Sequence, residues 1–145
     1  MNIAIVGIGL IGGSIGLRLK ETHFCQKVIG VDKSEAHQRK ALQLGLVDEI
    51  LPLEAALAEA KVIILTIPVD AIMQVLPTLL DQVTDQVIID MGSTKTNILE
   101  AISDHPNRGR YIAAHPMAGT EYSGPEAAKL DLFKDKMMVY VEAPK

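Results

Sequence analysis

Apolar and polar positions follow a regular pattern along the 145-residue chain, in which short apolar runs are separated by longer segments of mixed polarity. The apolar runs have strand length and are nearly continuous, as in strands buried on both faces of a parallel sheet. These runs are NIAIVG (2–7), KVIGVD (27–32), KVIILTI (61–67), QVIID (86–90) and YIAAH (111–115). The pattern also predicts a weaker strand at 48–51 and a last strand, MMVYVEA (137–143), whose direction it leaves open.

The segments between these runs have apolar residues at spacings of three and four, which predicts helices. They are residues 10–21, 34–45, 69–83 and 94–103. Ser34 and Thr94 are candidate N-caps, and Pro77 is expected to kink or break the third helix. This alternation predicts an α/β fold of the Rossmann type, with a doubly wound, mainly parallel sheet in a single domain over residues 1–145.

Glycine is concentrated in GIGLIGGSIG (7–16), directly after the first predicted strand. Gly7, Gly9 and Gly12 fit the spacing G-x-G-x-x-G, in which the first glycine makes the turn, the second admits a pyrophosphate and the third packs the helix on the strand. The positive end of a helix beginning at Leu10 and Ile11 would face the phosphates. We therefore predict that residues 7–12 bind a dinucleotide cofactor.

Asp32 stands 20 residues after Gly12, at the end of the second predicted strand. A carboxylate at this place accepts hydrogen bonds from the adenosine ribose diol and repels the 2′-phosphate of NADP. Lys33 could soften that repulsion, so NAD is the expected cofactor and NADP is less favoured. The alternative is a purely structural tight turn with a strand-capping aspartate.

Composition narrows the classes of function. The net charge of -4 gives no electrostatic reason to expect nucleic acid. The chain has one cysteine, Cys25, which suits a reducing compartment, and it has neither a signal peptide nor an apolar run of membrane-spanning length. We expect a cytoplasmic protein without a membrane partner. The histidines lack the spacing of zinc ligands, so no metal site is expected.

Two further segments, DMGSTK (90–95) and HPMAGTEYSG (115–124), follow the fifth and sixth predicted strands. Both should emerge at the carboxyl edge of the sheet, where open α/β sheets bind their ligands. His115 is a candidate general base because the ordinary pKa of histidine lies near neutrality. Ser93 and Glu121 would lie at the same edge.

The stretches VGIGLIGGSIG, DMGSTK and HPMAGTEYSG together resemble the prephenate dehydrogenase and arogenate dehydrogenase family, the oxidoreductases of tyrosine biosynthesis. The resemblance covers the whole chain in order and spacing. It implies NAD-dependent oxidative decarboxylation of prephenate to 4-hydroxyphenylpyruvate, or the equivalent reaction of arogenate. It assigns His115 as the catalytic base, with Ser93 in the same hydrogen-bond network. It also places Thr120 and Glu121 in the substrate pocket, and Thr66 and Pro68 of the TIP turn beside the cofactor.

The chain departs from this family in length. Family members continue into a helical domain that dimerises and supplies cations to the substrate carboxylates, and no segment here matches it. A homodimer is therefore expected only through that absent domain, and the basic residues near the sixth strand are expected to be surface charges: Arg108, Arg110, Lys129 and Lys134. Two alternatives remain, another NAD(P)-dependent dehydrogenase and a non-catalytic nucleotide-sensing domain. The second would leave His115, Ser93 and Glu121 without a role.

Overall fold

A computed structural model describes residues 1–92, 94–116, 124–134 and 138–141. Its strands form one sheet with the order β3-β2-β1-β4-β5-β6-β7. The strands are β1 (Asn2–Val6), β2 (Lys27–Val31), β3 (Glu49–Ile50), β4 (Val62–Leu65), β5 (Val87–Asp90), β6 (Tyr111–Pro116) and β7 (Met138–Val141). Neighbouring strands from β3 to β6 are parallel, whereas β7 pairs antiparallel with β6.

Five α-helices connect these strands in the described part of the chain. They are α1 (Leu10–Glu21), α2 (Glu35–Gln43), α3 (Leu53–Glu59), α4 (Val69–Gln82) and α5 (Thr96–Ile102). Short 3-10 turns occupy Arg108–Arg110 and Pro125–Ala127. In the described chain, no helix has both the length and the apolar character needed to cross a membrane.

The helices cover both faces of the sheet and create two hydrophobic cores. The core under α3, α4 and α5 contains 18 of the described buried residues, among them Ile63, Leu76 and Ile88. The core under α1 and α2 contains six, namely Ile5, Ile8, Val28, Ala41, Leu46 and Val47. Successive strand residues point to opposite faces, which is why the continuous apolar runs supply both cores.

The direction of winding reverses between β1 and β4. The chain passes outward from β1 through β2 to β3, and then returns to β4 on the other side of β1. A reversal of this kind opens a crevice at the carboxyl ends of the two central strands. The predicted doubly wound Rossmann-type sheet is thus confirmed, and β7, whose direction the sequence left open, is antiparallel.

The local predictions about helix ends and Pro77 had mixed outcomes. Ser34 does cap α2, since its side chain accepts a hydrogen bond from the His37 amide. Thr94 does not cap α5: the helix starts at Thr96, and Lys95 occupies the cap position. Pro77 does not break α4, which is continuous over 14 residues. Helix α3 was not predicted at all.

Candidate functional site

Gly7 and Gly12 are required by the packing of the turn between β1 and α1. Gly7 has φ of 97°, a conformation that favours glycine, and its amide donates to the Val31 carbonyl oxygen at 2.8 Å. A Cβ on Gly12 would lie 2.0 Å from the Gly7 carbonyl oxygen and 2.6 Å from Thr66 Oγ1. The first and third glycines of the motif therefore serve the chain's own backbone.

Gly9 has a different environment. A Cβ at this position would meet no described atom within 4 Å. Gly9 is the N-cap of α1, and within the described structure no side chain caps this helix end. The N–H groups of the first turn have no partner inside the helix and carry partial positive charge. Open space above them is the environment that a phosphate group needs.

The crevice beside this turn has a volume of ≈ 260 Å³. Its walls come from α1, from the segment after β4 and from the segment after β5: Ile11, Thr66, Ile67, Pro68, Val69, Met91 and Gly92. Thr66 Oγ1 donates hydrogen bonds to the carbonyl oxygens of Val6, at 3.0 Å, and Gly7. Thr66 therefore fixes the end of β4 to the glycine turn, and both Thr66 and Pro68 line the crevice.

Asp32 follows β2, and its side chain contacts the glycine turn, the N-cap residue of α2 and His37 of that helix. Its Oδ2 accepts from the Ile8 amide at 2.9 Å, and its Oδ1 accepts from the Ser34 amide at 2.9 Å. His37 Nδ1 lies 3.4 Å from Oδ2, and the Asp32 side chain is only 11% exposed. The carboxylate is held at the carboxyl edge of the sheet by the turn that it stabilises. The structural and the ribose-binding interpretations of Asp32 are therefore compatible.

A buried polar cluster lies beneath the crevice at the end of β5. Asp90 is fully buried, and its Oδ1 accepts from Lys95 Nζ and from the Gly92 amide, each at 2.6 Å. Tyr111 donates its hydroxyl proton to Asp90 Oδ2. Burial lowers the pKa of Lys95, although the Asp90 carboxylate opposes the change. Burial raises the pKa of Tyr111, and the Asp90 carboxylate raises it further. This cluster was not predicted from the sequence.

His115 lies near the end of β6, where it pairs with Val139 of β7. Ala113, two residues earlier, pairs with Asp90, so the alternation along β6 places His115 on the same face of the sheet as Asp90. His115 is partly exposed, but its Nδ1 is buried and has no hydrogen-bond partner within the described residues.

The structure brings most of the predicted site residues to one edge of the sheet. The glycine turn, Asp32, Thr66, Pro68 and His115 all lie at the carboxyl ends of the parallel strands. Ser93, Thr120 and Glu121 lie outside the described residues. The cluster of Asp90, Lys95 and Tyr111 had one signal in the sequence, a carboxylate that ends the apolar strand VIID.

Known proteins with similar sequences cover almost the whole chain. A prephenate dehydrogenase of Bacillus subtilis is 34% identical over 99% of this chain. Among solved structures, prephenate dehydrogenase from A. aeolicus in complex with hydroxyphenyl propionate and NAD+ has a TM-score of 0.87 and 28% identity, and it covers 99% of this chain. Synechocystis arogenate dehydrogenase has a TM-score of 0.85 and 33% identity, and it covers 97%.

The chain is shorter than these proteins. It spans 40% of the Bacillus protein, 51% of the A. aeolicus chain and 49% of the Synechocystis chain. The family described as prephenate dehydrogenase, nucleotide-binding domain, matches residues 15–144. With this match and the shared fold, the chain belongs to the prephenate dehydrogenase nucleotide-binding domain family.

Proposed function

We propose that this chain binds NAD(H) and carries the catalytic base of a dehydrogenase that oxidises and decarboxylates prephenate or arogenate. The observation that carries the proposal is the open space at Gly9, where a Cβ would meet no described atom within 4 Å. Packing explains Gly7 and Gly12 but gives no reason for a glycine at position 9. A pyrophosphate seated on the first turn of α1 would supply that reason.

Residues at both ends of the crevice would hold the cofactor. The amides at the start of α1, including those of Leu10 and Ile11, would bind the pyrophosphate. Asp32 would accept hydrogen bonds from the adenosine ribose diol, and its negative charge would disfavour the 2′-phosphate of NADP. Thr66 and Pro68 would lie along the nicotinamide half of the crevice. The positions of these residues at the carboxyl edge of the sheet support these assignments.

His115 would act as the general base. The bound nicotinamide would supply the hydride acceptor for the carbinol carbon of the substrate. Because Nδ1 of His115 is buried, we expect Nε2 to receive the hydroxyl proton. Loss of that proton allows the carbonyl to form, and decarboxylation of the ring then yields the aromatic product. Ser93 would share the hydrogen-bond network of His115, and Thr120 and Glu121 would shape the substrate pocket.

The substrate carboxylates need cationic partners, and two described basic side chains near β5 and β6, Lys95 and Arg108, are already engaged within the fold. Lys95 is paired with Asp90, and Arg108 packs over the Tyr111 ring with its Nη1 bonded to the Tyr111 carbonyl oxygen. Arg108 is thus half buried rather than a simple surface charge. We propose that these cations, and a homodimer contact, come from a second domain, and that the enzyme is cytoplasmic.

Calorimetric titration of this chain with NAD+ and with NADP+ tests the cofactor assignment. NAD+ should bind more tightly, because the Asp32 carboxylate repels the 2′-phosphate of NADP+. Asp32→Asn should narrow the difference, since it removes the charge while keeping the shape of the side chain. Equal affinities for the two cofactors in the unsubstituted chain would contradict the role of Asp32, and failure of both to bind would overturn the proposed function.

A further inference from the structure

Ser14 is a buried polar residue that the proposed chemistry does not use. It lies in the second turn of α1, five residues after Gly9, and is fully buried. A buried hydroxyl is costly unless it is hydrogen-bonded. Ser14 Oγ accepts from the Lys129 amide at 2.9 Å, across 115 residues of sequence. The position of Ser14 is therefore tied to a segment that comes late in the chain.

Gly13 makes room for the same segment. A Cβ on Gly13 would lie 2.9 Å from Ala128 Cβ and 3.0 Å from Leu46 Cδ1. Ala128 also packs against the core under α1 and α2, which includes Ile8 of the glycine turn. Gly13 and Ser14 thus form one small docking site for residues 128 and 129. This contact gives a packing reason for a glycine that lies outside the G-x-G-x-x-G spacing.

The segment that docks here comes from the far end of the sheet. In the sheet order, β6 lies three strands from β1, a distance of about 14 Å. Gly124 comes only eight positions after Pro116, which ends β6, and the 3-10 turn Pro125–Ala127 then leads into the contact with α1. The chain afterwards returns to pair β7 with β6. The contact with α1 therefore lies, in the sequence, between two strands that pair with each other, β6 and β7.

We propose that Ser14 is a positioning residue, which holds residues 128 and 129 against the helix that begins at the glycine turn. The link to catalysis rests on the proposed function, because residues 128 and 129 lie in sequence between β6, which carries His115, and β7, whose Val139 pairs with His115. Helix α1 then has two tasks: its N-terminus meets the cofactor, and its flank fixes residues 128 and 129, which precede β7.

Amide hydrogen exchange and histidine NMR signals of the 145-residue chain test this proposal, with Ser14→Ala compared against the unsubstituted chain. We expect exchange of the Lys129 amide to rise about 2- to 13-fold, because this partly buried hydrogen bond is lost. The imidazole signals of His115 should also shift, whereas NAD+ affinity stays within about twofold. Ser103→Ala is the matched control, since its exposed hydroxyl bonds only the nearby Glu100 carbonyl oxygen, and it should change neither signal.

A second pair of variants covers the case in which Ser14→Ala does not fold. Gly13→Ala should speed exchange in residues 124–134, and adding Ala128→Gly should restore slow exchange by removing the nearest clashing atom. Unchanged Lys129 exchange in Ser14→Ala, or no rescue by Ala128→Gly, would overturn the proposal. A parallel loss of NAD+ affinity in Ser14→Ala would also overturn it, since the role would then be support of α1 alone. Binding of NAD+ to the unsubstituted chain tests the proposed function separately.

Discussion

At the scale of single residues, the glycine turn separates positions that packing explains from Gly9, for which we propose a contact with the cofactor. Gly12 lies against the Gly7 carbonyl oxygen and Thr66 Oγ1, whereas Gly9 faces open space. The sequence motif already predicts different roles for these two residues, helix packing for Gly12 and contact with a pyrophosphate for Gly9. The structure divides the motif, and this division can be tested with two alanine substitutions.

Gly12→Ala should destabilise the chain by about 1–3 kcal/mol, because the new methyl group must push the turn away from α1. Gly9→Ala should change the free energy of unfolding by less than about 0.5 kcal/mol. It should nevertheless weaken NAD+ binding by about tenfold or more, since the methyl group would occupy the place of the pyrophosphate. Thermal unfolding and calorimetry measure the two effects, and unchanged NAD+ affinity in Gly9→Ala would remove the main support for the pyrophosphate site.

His115→Asn tests the assignment of the base. In the complete dehydrogenase we expect kcat to fall about 10²–10⁴-fold, the range for loss of a general base, while the affinity for NAD+ is kept. His105→Asn is a suitable control, because His105 bonds Asp81 and the Asn107 amide and precedes the amino end of β6, whereas His115 lies near its carboxyl end. Activity of His115→Asn within a factor of a few would assign proton removal to another residue.

At the scale of elements, the local spacing of apolar residues predicted the buried strands and most of the helices. It failed for a short helix and for the effect of a proline inside a helix. The five buried strands and four of the helices were predicted because their apolar spacing is strong. Helix α3, LEAALAE, has seven residues and two buried ones, which is too short for a clear periodic signal. Pro77 removes one hydrogen bond from α4, but Leu76, Leu79 and Leu80 are buried around it and keep the helix continuous.

In the candidate site, too, the sequence predicted residues that are close along the chain better than residues that the fold brings together. Gly7, Gly12 and Asp32 were predictable because their spacing along the chain is fixed by one strand, one turn and one helix. The cluster of Asp90, Lys95 and Tyr111 was not, because the register of β5 against β6 brings Tyr111 to Asp90 across 21 residues. A single sequence contains no direct signal for that pairing.

Ionisation of the Tyr111 hydroxyl makes the stability of the β5–β6 pair depend on pH. Burial, together with the Asp90 carboxylate, raises the pKa of Tyr111 above its ordinary value. The stability from this hydroxyl is therefore fully present below the unfolded-state pKa of about 10 and is lost as the pH rises above it. Tyr111→Phe should lower stability by about 1–3 kcal/mol at neutral pH, because Asp90 loses a donor. The deficit should shrink near pH 11.

Denaturant unfolding of both proteins at pH 7, 9 and 11 measures this difference. The other two tyrosines of the chain are present in both proteins, so subtraction isolates Tyr111. A deficit that does not depend on pH would mean that the hydroxyl of Tyr111 ionises equally well in the folded and unfolded chain.

At the scale of the whole molecule, we expect this chain to bind NAD+ although its enzymatic turnover is very slow. The 145-residue chain should be stabilised by NAD+, by about 2.7 kcal/mol at a concentration of 100 times Kd. It should nevertheless turn over prephenate and arogenate very slowly. Lys95 and Arg108 are engaged within the fold, and the net charge of -4 repels an anionic substrate.

Thermal unfolding with and without NAD+, and steady-state assays with both substrates at saturating NAD+, measure these two properties. Fast turnover by this chain would show that it already supplies the groups that bind the substrate carboxylates. The proposal that those cations come from a second domain would then be wrong.

The unequal size of the two cores has a consequence for the lifetime of the protein. The core under α1 and α2 has six described buried residues against 18 on the other face, so this side should open first in partial unfolding. Opening would free the backbone at Arg18, Lys20, Arg39 and Lys40, where proteases that cleave after basic residues could then act. A dinucleotide seated on α1 binds only the closed form and so protects its least stable part. The degradation rate of the protein would then follow the supply of its own cofactor.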